Sequence, residues 1–263
     1  MTTETLTGLA AAVLGTENAG AKADASRAAA ARWRDRALPP GSTPVPDRPA
    51  RPARPELKAP RDMPKRRKGQ GPAARIALLH AIAHIELNAI DLAWDLVGRF
   101  AGEDLPRAFF DDWVRVGDEE AKHFSLLSTR LADFGAAYGD LPAHDGLWQA
   151  ARETAHDLLA RLAIVPLVLE ARGLDVTPAM IERLTSFGDT ESAAILEVIY
   201  RDEIGHVAVG KKWFDAVCER RGLEPGETWR GLVRRHFRGA LKPPFNDAAR
   251  RAAGLTPDDY RDL

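Results

Sequence analysis

Cysteine occurs once, at Cys218, in a chain of 263 residues. A single thiol excludes an intrachain disulfide framework and a cysteine-built metal site. Cys218 is left to be a small buried apolar residue. Long apolar runs are missing as well, since none approaches the roughly 20 residues that span a bilayer. The opening MTTETLTGLAAAVLG is short of basic residues and lacks the positive start of a signal peptide. No membrane partner and a cytoplasmic location are therefore expected. Net charge is nearly absent, at −1, so the protein as a whole is no polyanion binder. No stretch shows convincing strand alternation, which points to an all-α fold.

What charge there is lies unevenly. Between Asp47 and Lys68 nine Lys or Arg stand against three acids, which leaves the remainder at −7. Within that stretch PKRRKGQG has no aromatic interleaving and reads as a solvated linker, so nucleic acid is not an expected partner. Proline is concentrated too: ten of the eighteen fall in residues 39–72. They exclude a helix and a central strand there, leaving an extended linker or a strap lying on the surface.

Four segments are expected: a helical N-terminal segment 1–38, a proline-rich basic linker or strap 39–71, a helical bundle 72–222, and a C-terminal helix and tail 223–263. The first bundle helix runs from Pro72 to about residue 101, with proline in its first turn. The second covers about 106–135, with a candidate break at Gly117. The third covers about 145–171 and stops at Gly173. Thr177 and Pro178 then read as the cap and first turn of a short helix over 178–187. The fourth runs over about 189–221, and a tail helix covers 227–238.

The chemistry concentrates in four carboxylates on those helices. Glu86 stands in HAIAHIELNAI and Glu170 in PLVLEARGLD. Glu120 and His123 stand in DEEAKHF, Glu203 and His206 in RDEIGHV. Residues three apart share a helix face, so Glu-x-x-His offers a carboxylate and an imidazole to one ion. One Glu from each of two helices and Glu-x-x-His from each of two others is the ligand set of a di-iron or di-manganese bundle. The apolar neighbours of Glu86 and Glu170 support burial, and a buried carboxylate needs a partner or a metal. Carboxylates with one imidazole per ion suit iron or manganese, and zinc also fits by ligand type.

Glu119 and Asp202 each stand four residues before a histidine of the set. Each is a candidate support for a ligating imidazole, Asp202 for His123 and Glu119 for His206, with a solvated acid as the alternative. Tyr200, three residues before Glu203, is a candidate redox or proton-donating residue, with a core aromatic as the alternative. His80 and His84 fall with Asn88, Asp91 and Asp95 on the face away from Glu86, a polar face suited to packing under the strap. Pro166, one turn before Glu170, removes a hydrogen bond to Leu162 and is expected to bend its helix. Tyr138, Asp140, His144 and Asp145 form a loop whose turn chemistry explains them, with an access route to the metals as the other reading.

The segments LLHAIAHIELNAIDLAWD, EEAKHF, YGDLPAHDGLW, LARLAIVPLVLEARGLDVTP, DEIGHVAVGKKWF and PPFNDAARRAAG resemble the ferritin-like family catalogued as domain of unknown function 455. The resemblance covers about 72–260. It implies a ferritin-like four-helix bundle with extra N-terminal helices and a C-terminal helical tail. It also implies a dinuclear site on Glu86, Glu120, His123, Glu170, Glu203 and His206. The expected cofactor is two iron ions, alternatively manganese or a mixed manganese–iron pair. The expected activity is oxidation of a small organic substrate with dioxygen or peroxide. With no cysteine-rich electron-transfer module, reducing equivalents come from a separate donor or from the substrate. The alternatives are a metal-binding or storage protein without catalysis, and a tRNA-modifying hydroxylase.

Overall fold

The computed structural model describes residues 4–35, 37–64, 71–261 and 263. The basic run 65–68 lies outside the described residues. Helices dominate, and among the described residues the fold is all-α apart from one pair of two-residue strands. The chain forms two compact units, residues 1–148 and 149–263.

The first unit opens with α1 (Leu6–Leu14) and α2 (Ala19–Asp35), two helices where the sequence suggests one helical segment. The Thr5 side chain caps α1 by accepting from the Gly8 amide. The residues after α2 form a strap, as their prolines require. Leu6 and Thr7 amides donate to the carbonyls of Pro39 and Pro40, and the Ala50 amide donates to Leu14. Leu57–Lys58 (β1) then pairs in parallel with Ala143–His144 (β2). A pair this short has no periodicity for a sequence to show.

The core helices of the unit are α3 (Pro72–Arg99) and α4 (Arg107–Asp133), which pack extensively on each other. By length and composition α3 is apolar enough to cross a membrane, yet 67% of that window is buried inside the protein, as in a core helix. Gly117 does not break α4. A β-carbon there would lie 2.9 Å from the Trp94 indole nitrogen, so the glycine admits the close approach of α3. Its carbonyl accepts from the Ser26 hydroxyl, which in turn accepts from Trp94, each at 2.7 Å. These bonds tie α2, α3 and α4 together.

The polar face of α3 is buried beneath the strap. His80, His84, Asn88, Asp91 and Asp95 are all under 6% exposed. Each has a partner in the same unit. Arg51 of the strap reaches Asp91 and Asn88, both at 2.8 Å. Lys22 of α2 donates to Asp91 and to the Ala50 carbonyl. Arg99 holds Asp95 at 2.7 Å and donates to Pro46. Such a charge cluster persists in a core only because every member is paired.

The expected third helix, which begins at the end of the first unit and runs on into the second, is four consecutive pieces. They are α5 (Gly146–Glu153), a turn, α6 (Leu158–Ile164), and a π-helical segment Val165–Glu170. The Asp157 side chain starts α6 by accepting from Leu159 and Ala160 amides. Then α7 (Ala171–Ser186) runs straight through Gly173, Thr177 and Pro178, contrary to the stop and restart expected there. Pro178 leaves the Leu174 carbonyl without its helical donor, and the Asn246 side chain supplies one at 3.1 Å. A partner 72 residues away, invisible to local propensity, keeps the helix intact. The remaining helices are α8 (Thr190–Arg220), α9 (Pro225–His236), α10 (Asp247–Ala252) and α11 (Pro257–Tyr260). The tail is fastened by Arg250, which binds Asp175 of α7 with two hydrogen bonds of 2.8 and 2.7 Å. Cys218 is fully buried, and burial pushes its thiol up to about 11.

Candidate metal centre

Within the first unit α3 and α4 bring Glu86, Glu120 and His123 together. All three are buried, at 3%, 0% and 0% exposure. Nδ1 of His123 lies 3.0 Å from the Glu86 carboxylate and 3.3 Å from that of Glu120. The donor atoms fall within 4.8 Å of one another. The i, i+3 spacing puts Glu120 and His123 on one face of α4, and the α3–α4 contact supplies Glu86. Two carboxylates in an apolar core repel each other and lose hydration, so they require a cation or protons between them. The donor set, oxygen-rich with one imidazole, fits iron or manganese.

The second unit carries the matching set. Glu203 and His206 share one face of α8, with Nδ1 of His206 3.5 Å from the Glu203 carboxylate. His206 is fully buried. Glu170 closes the π segment, which packs against α8. Pro166 donates no hydrogen bond, and the helix widens around it. π-bulges of this kind are frequent at functional sites. Gly210, one turn beyond His206, has no room for a side chain: a β-carbon would sit 2.3 Å from Cβ of Pro166.

Several of the other candidates have partners of their own. Glu119 is paired with Arg115 at 3.1 Å on α4, and Asp202 is half-buried on α8. The Tyr200 hydroxyl accepts from Asn246 at 2.8 Å. The Tyr138 ring stacks on His80, and its hydroxyl lies 2.9 Å from Nδ1 of His84. Burial raises the Tyr138 phenol above its ordinary value and drives His84 down to about 4. Nε2 of His84 faces the His144 carbonyl at 3.0 Å, and Nε2 of His80 accepts from the Gly139 amide at 2.9 Å. Asp140 accepts from the Ala137 amide, and Asp145 pairs with Arg48 of the strap. Another signal lies outside these groups. Glu153 and His156 repeat the Glu-x-x-His spacing at the end of α5, and the His156 ring lies 5.6 Å from the ring of His236 in α9.

An all-α protein with paired Glu and Glu-x-x-His sets defines the class. The chain belongs to the family described as "Protein of unknown function (DUF455)", which matches residues 15–261. It is 46% identical over 212 residues to a protein of Haemophilus influenzae described as uncharacterized, covering 78% of this chain and 73% of the relative. No solved structure matches it.

Proposed function

We propose that the two Glu and Glu-x-x-His sets are the halves of one dinuclear carboxylate centre in a ferritin-like bundle, and that the protein is an oxidoreductase acting on a small organic substrate. The observation that carries this reading is the convergence of Glu86, Glu120 and His123 in a buried place, with Glu203 and His206 repeating the arrangement on α8. Bound iron or manganese would supply the one-electron steps of dioxygen or peroxide chemistry. The protein's own part is to hold the donors and keep water out. Four carboxylates balance two divalent ions, so the reduced pair is neutral within its ligands. Glu86 and Glu170 each come from a helical segment separate from a Glu-x-x-His, so four segments supply the four carboxylates.

The test is metal content followed by oxygen uptake. Protein purified from its native host should contain about two transition-metal ions per chain. Loaded anaerobically with ferrous ion, it should consume dioxygen faster than free ferrous ion does. Glu120→Ala and Glu203→Ala should lower metal occupancy while keeping the helical circular dichroism. A folded native protein without transition metal would end the proposal. Two bound irons that oxidise no faster than free iron would leave a storage protein.

A further inference from the structure

The faces of α3 and α4 that carry the metal donors run on past them and end alike. On α3 the helical spacing carries the face of Glu86 back through Ile82 and Leu79 to Arg75. On α4 it carries the face of Glu120 and His123 on through Leu127 to Arg130 and Phe134. The two arginines meet at one ring. The guanidinium carbon of Arg75 lies 5.1 Å from the Phe134 centroid, and that of Arg130 lies 4.6 Å from it. We propose that Arg75 and Arg130, set around Phe134, bind the carboxylate of the substrate, which is a small organic acid with an apolar body. That this acid is the substrate rests on the dinuclear reading, whereas the carboxylate site stands on the arginines.

Helix electrostatics does not account for Arg75. It closes the first turn of α3, at the positive end of the helix dipole, where an acid is favoured and a cation is not. That turn contains no acid, and the sequence has none between Asp62 and Glu86. Arg130 stands in the last turn of α4, where a cation suits the helix end. The Phe134 ring attracts both guanidinium groups. It gathers two like charges within about 10 Å of each other, about one Debye length at 0.1 M salt. Arg75 is half-buried and the Arg130 side chain is only 13% exposed, so an anion meets them with less screening than at an open surface. The planar guanidinium fork matches a carboxylate in shape.

A carboxylate already sits on one of the pair. Asp133 accepts from Nη1 of Arg130 at 3.2 Å. Its side chain is 54% exposed, and an ion pair with so exposed a member is weakly held. A ligand carboxylate takes the place of Asp133, which turns out into water. Between the arginines and the metal donors lie Leu79 and Leu127, both fully buried, and the half-buried Ile82. Arg130 is two turns from His123, roughly 10 Å along α4. An acid held at its charged end therefore lays its hydrocarbon along apolar side chains, with that part directed toward the metal donors.

The experiment titrates hexanoate into the full chain by calorimetry, with hexanol and inorganic phosphate as comparisons. Wild type should bind one hexanoate, more tightly than either comparison. Arg75→Gln and Arg130→Gln should each weaken it roughly 10–100-fold, the loss of a hydrogen bond to a charged group. Asp133→Asn should tighten it roughly 2–5-fold by removing the competing carboxylate, a change that arginines serving only to pin Phe134 would not produce. Asp133 is exposed, so its variant has no reason to misfold. Glu120→Ala should bind hexanoate as wild type does, which separates this site from the metal centre. A native protein without transition metal would remove the substrate role and leave hexanoate binding intact. Phosphate bound as tightly as hexanoate, or hexanoate affinity unchanged in Asp133→Asn or in the double arginine variant, would overturn the proposal.

Discussion

The ring of Pro166 occupies the space beside Gly210 that any other residue's β-carbon would need. Pro166 lies one turn before Glu170, and Gly210 one turn after His206. The contact therefore sets the register between the π segment and the face of α8 that carries the second Glu-x-x-His.

Gly210→Ala should force that register apart. Overpacking of this kind costs about 1–3 kcal/mol, because the obstacle is a proline ring that cannot change rotamer. Urea unfolding should show the loss, and metal analysis should show reduced occupancy. An alanine variant with wild-type stability and metal content would mean that the π segment shifts freely.

Arg51 should act as the catch of the strap. Arg51→Ala removes the ion pair to buried Asp91 and a hydrogen bond from a charged group to Asn88, the latter worth about 1.5–3 kcal/mol. The Ala50 amide, bonded to Leu14, should then exchange with solvent roughly 10–100-fold faster at neutral pH. The amides of α8 should be unaffected. Unchanged protection at Ala50 would mean that the prolines alone hold the strap down.

Acid should weaken the protein through His80 and His84. Burial lowers both below the ordinary histidine value, His84 to about 4. Above about pH 6.5 neither the folded nor the unfolded form carries the proton. As pH falls from there toward 4, the unfolded chain binds protons that the folded His84 refuses, and stability drops. At 1.36 kcal/mol per unit the full effect is about 3 kcal/mol. Unfolding free energies at pH 7 and pH 4.5 should differ less in His84→Gln than in wild type.

Arg250 should anchor the tail. The Arg250–Asp175 pair is almost wholly buried, and removing one member of such a pair costs about 3–5 kcal/mol. Arg250→Ala should release the tail to proteolysis after Arg238, which is exposed. Asn246→Ala should do less harm to the tail but weaken α7 at Pro178, where its side chain serves the Leu174 carbonyl. Amide exchange in α7 reads the difference.

The sequence shows the periodic parts of this molecule well. The long helices α3, α4 and α8 fall within two residues of their expected ends, because Pro72 and the apolar spacing mark them locally. Within each unit, the Glu and histidine of each Glu-x-x-His share a face as their spacing requires. What stays hidden depends on distant partners. Gly173 and Pro178 look like punctuation, yet Asn246 carries the helix through them. Gly117 looks like a break, yet it is there for the Trp94 indole. The α5–α6 turn depends on Asp157 and Arg161, whose roles emerge only when Ala151, Thr154 and Arg221 are placed around them. His80 and His84 read as part of a polar face suited to packing under the strap, and that face is buried, but its pairing with Lys22 and Arg51 depends on distant partners.

Lys22 meets Asp91 across 69 residues of chain, with the Ala50 carbonyl between them in sequence. Translation delivers these groups in order, and at about 5–20 residues per second the lysine precedes its carboxylate by roughly 3–14 s. During that interval α2 carries a cation that has no counterion to bury it, so α2 has reason to stay hydrated. The arrival of α3 neutralises the lysine and the strap's Arg51 together. The α2 and strap cations can therefore be buried against Asp91 only once α3 is present.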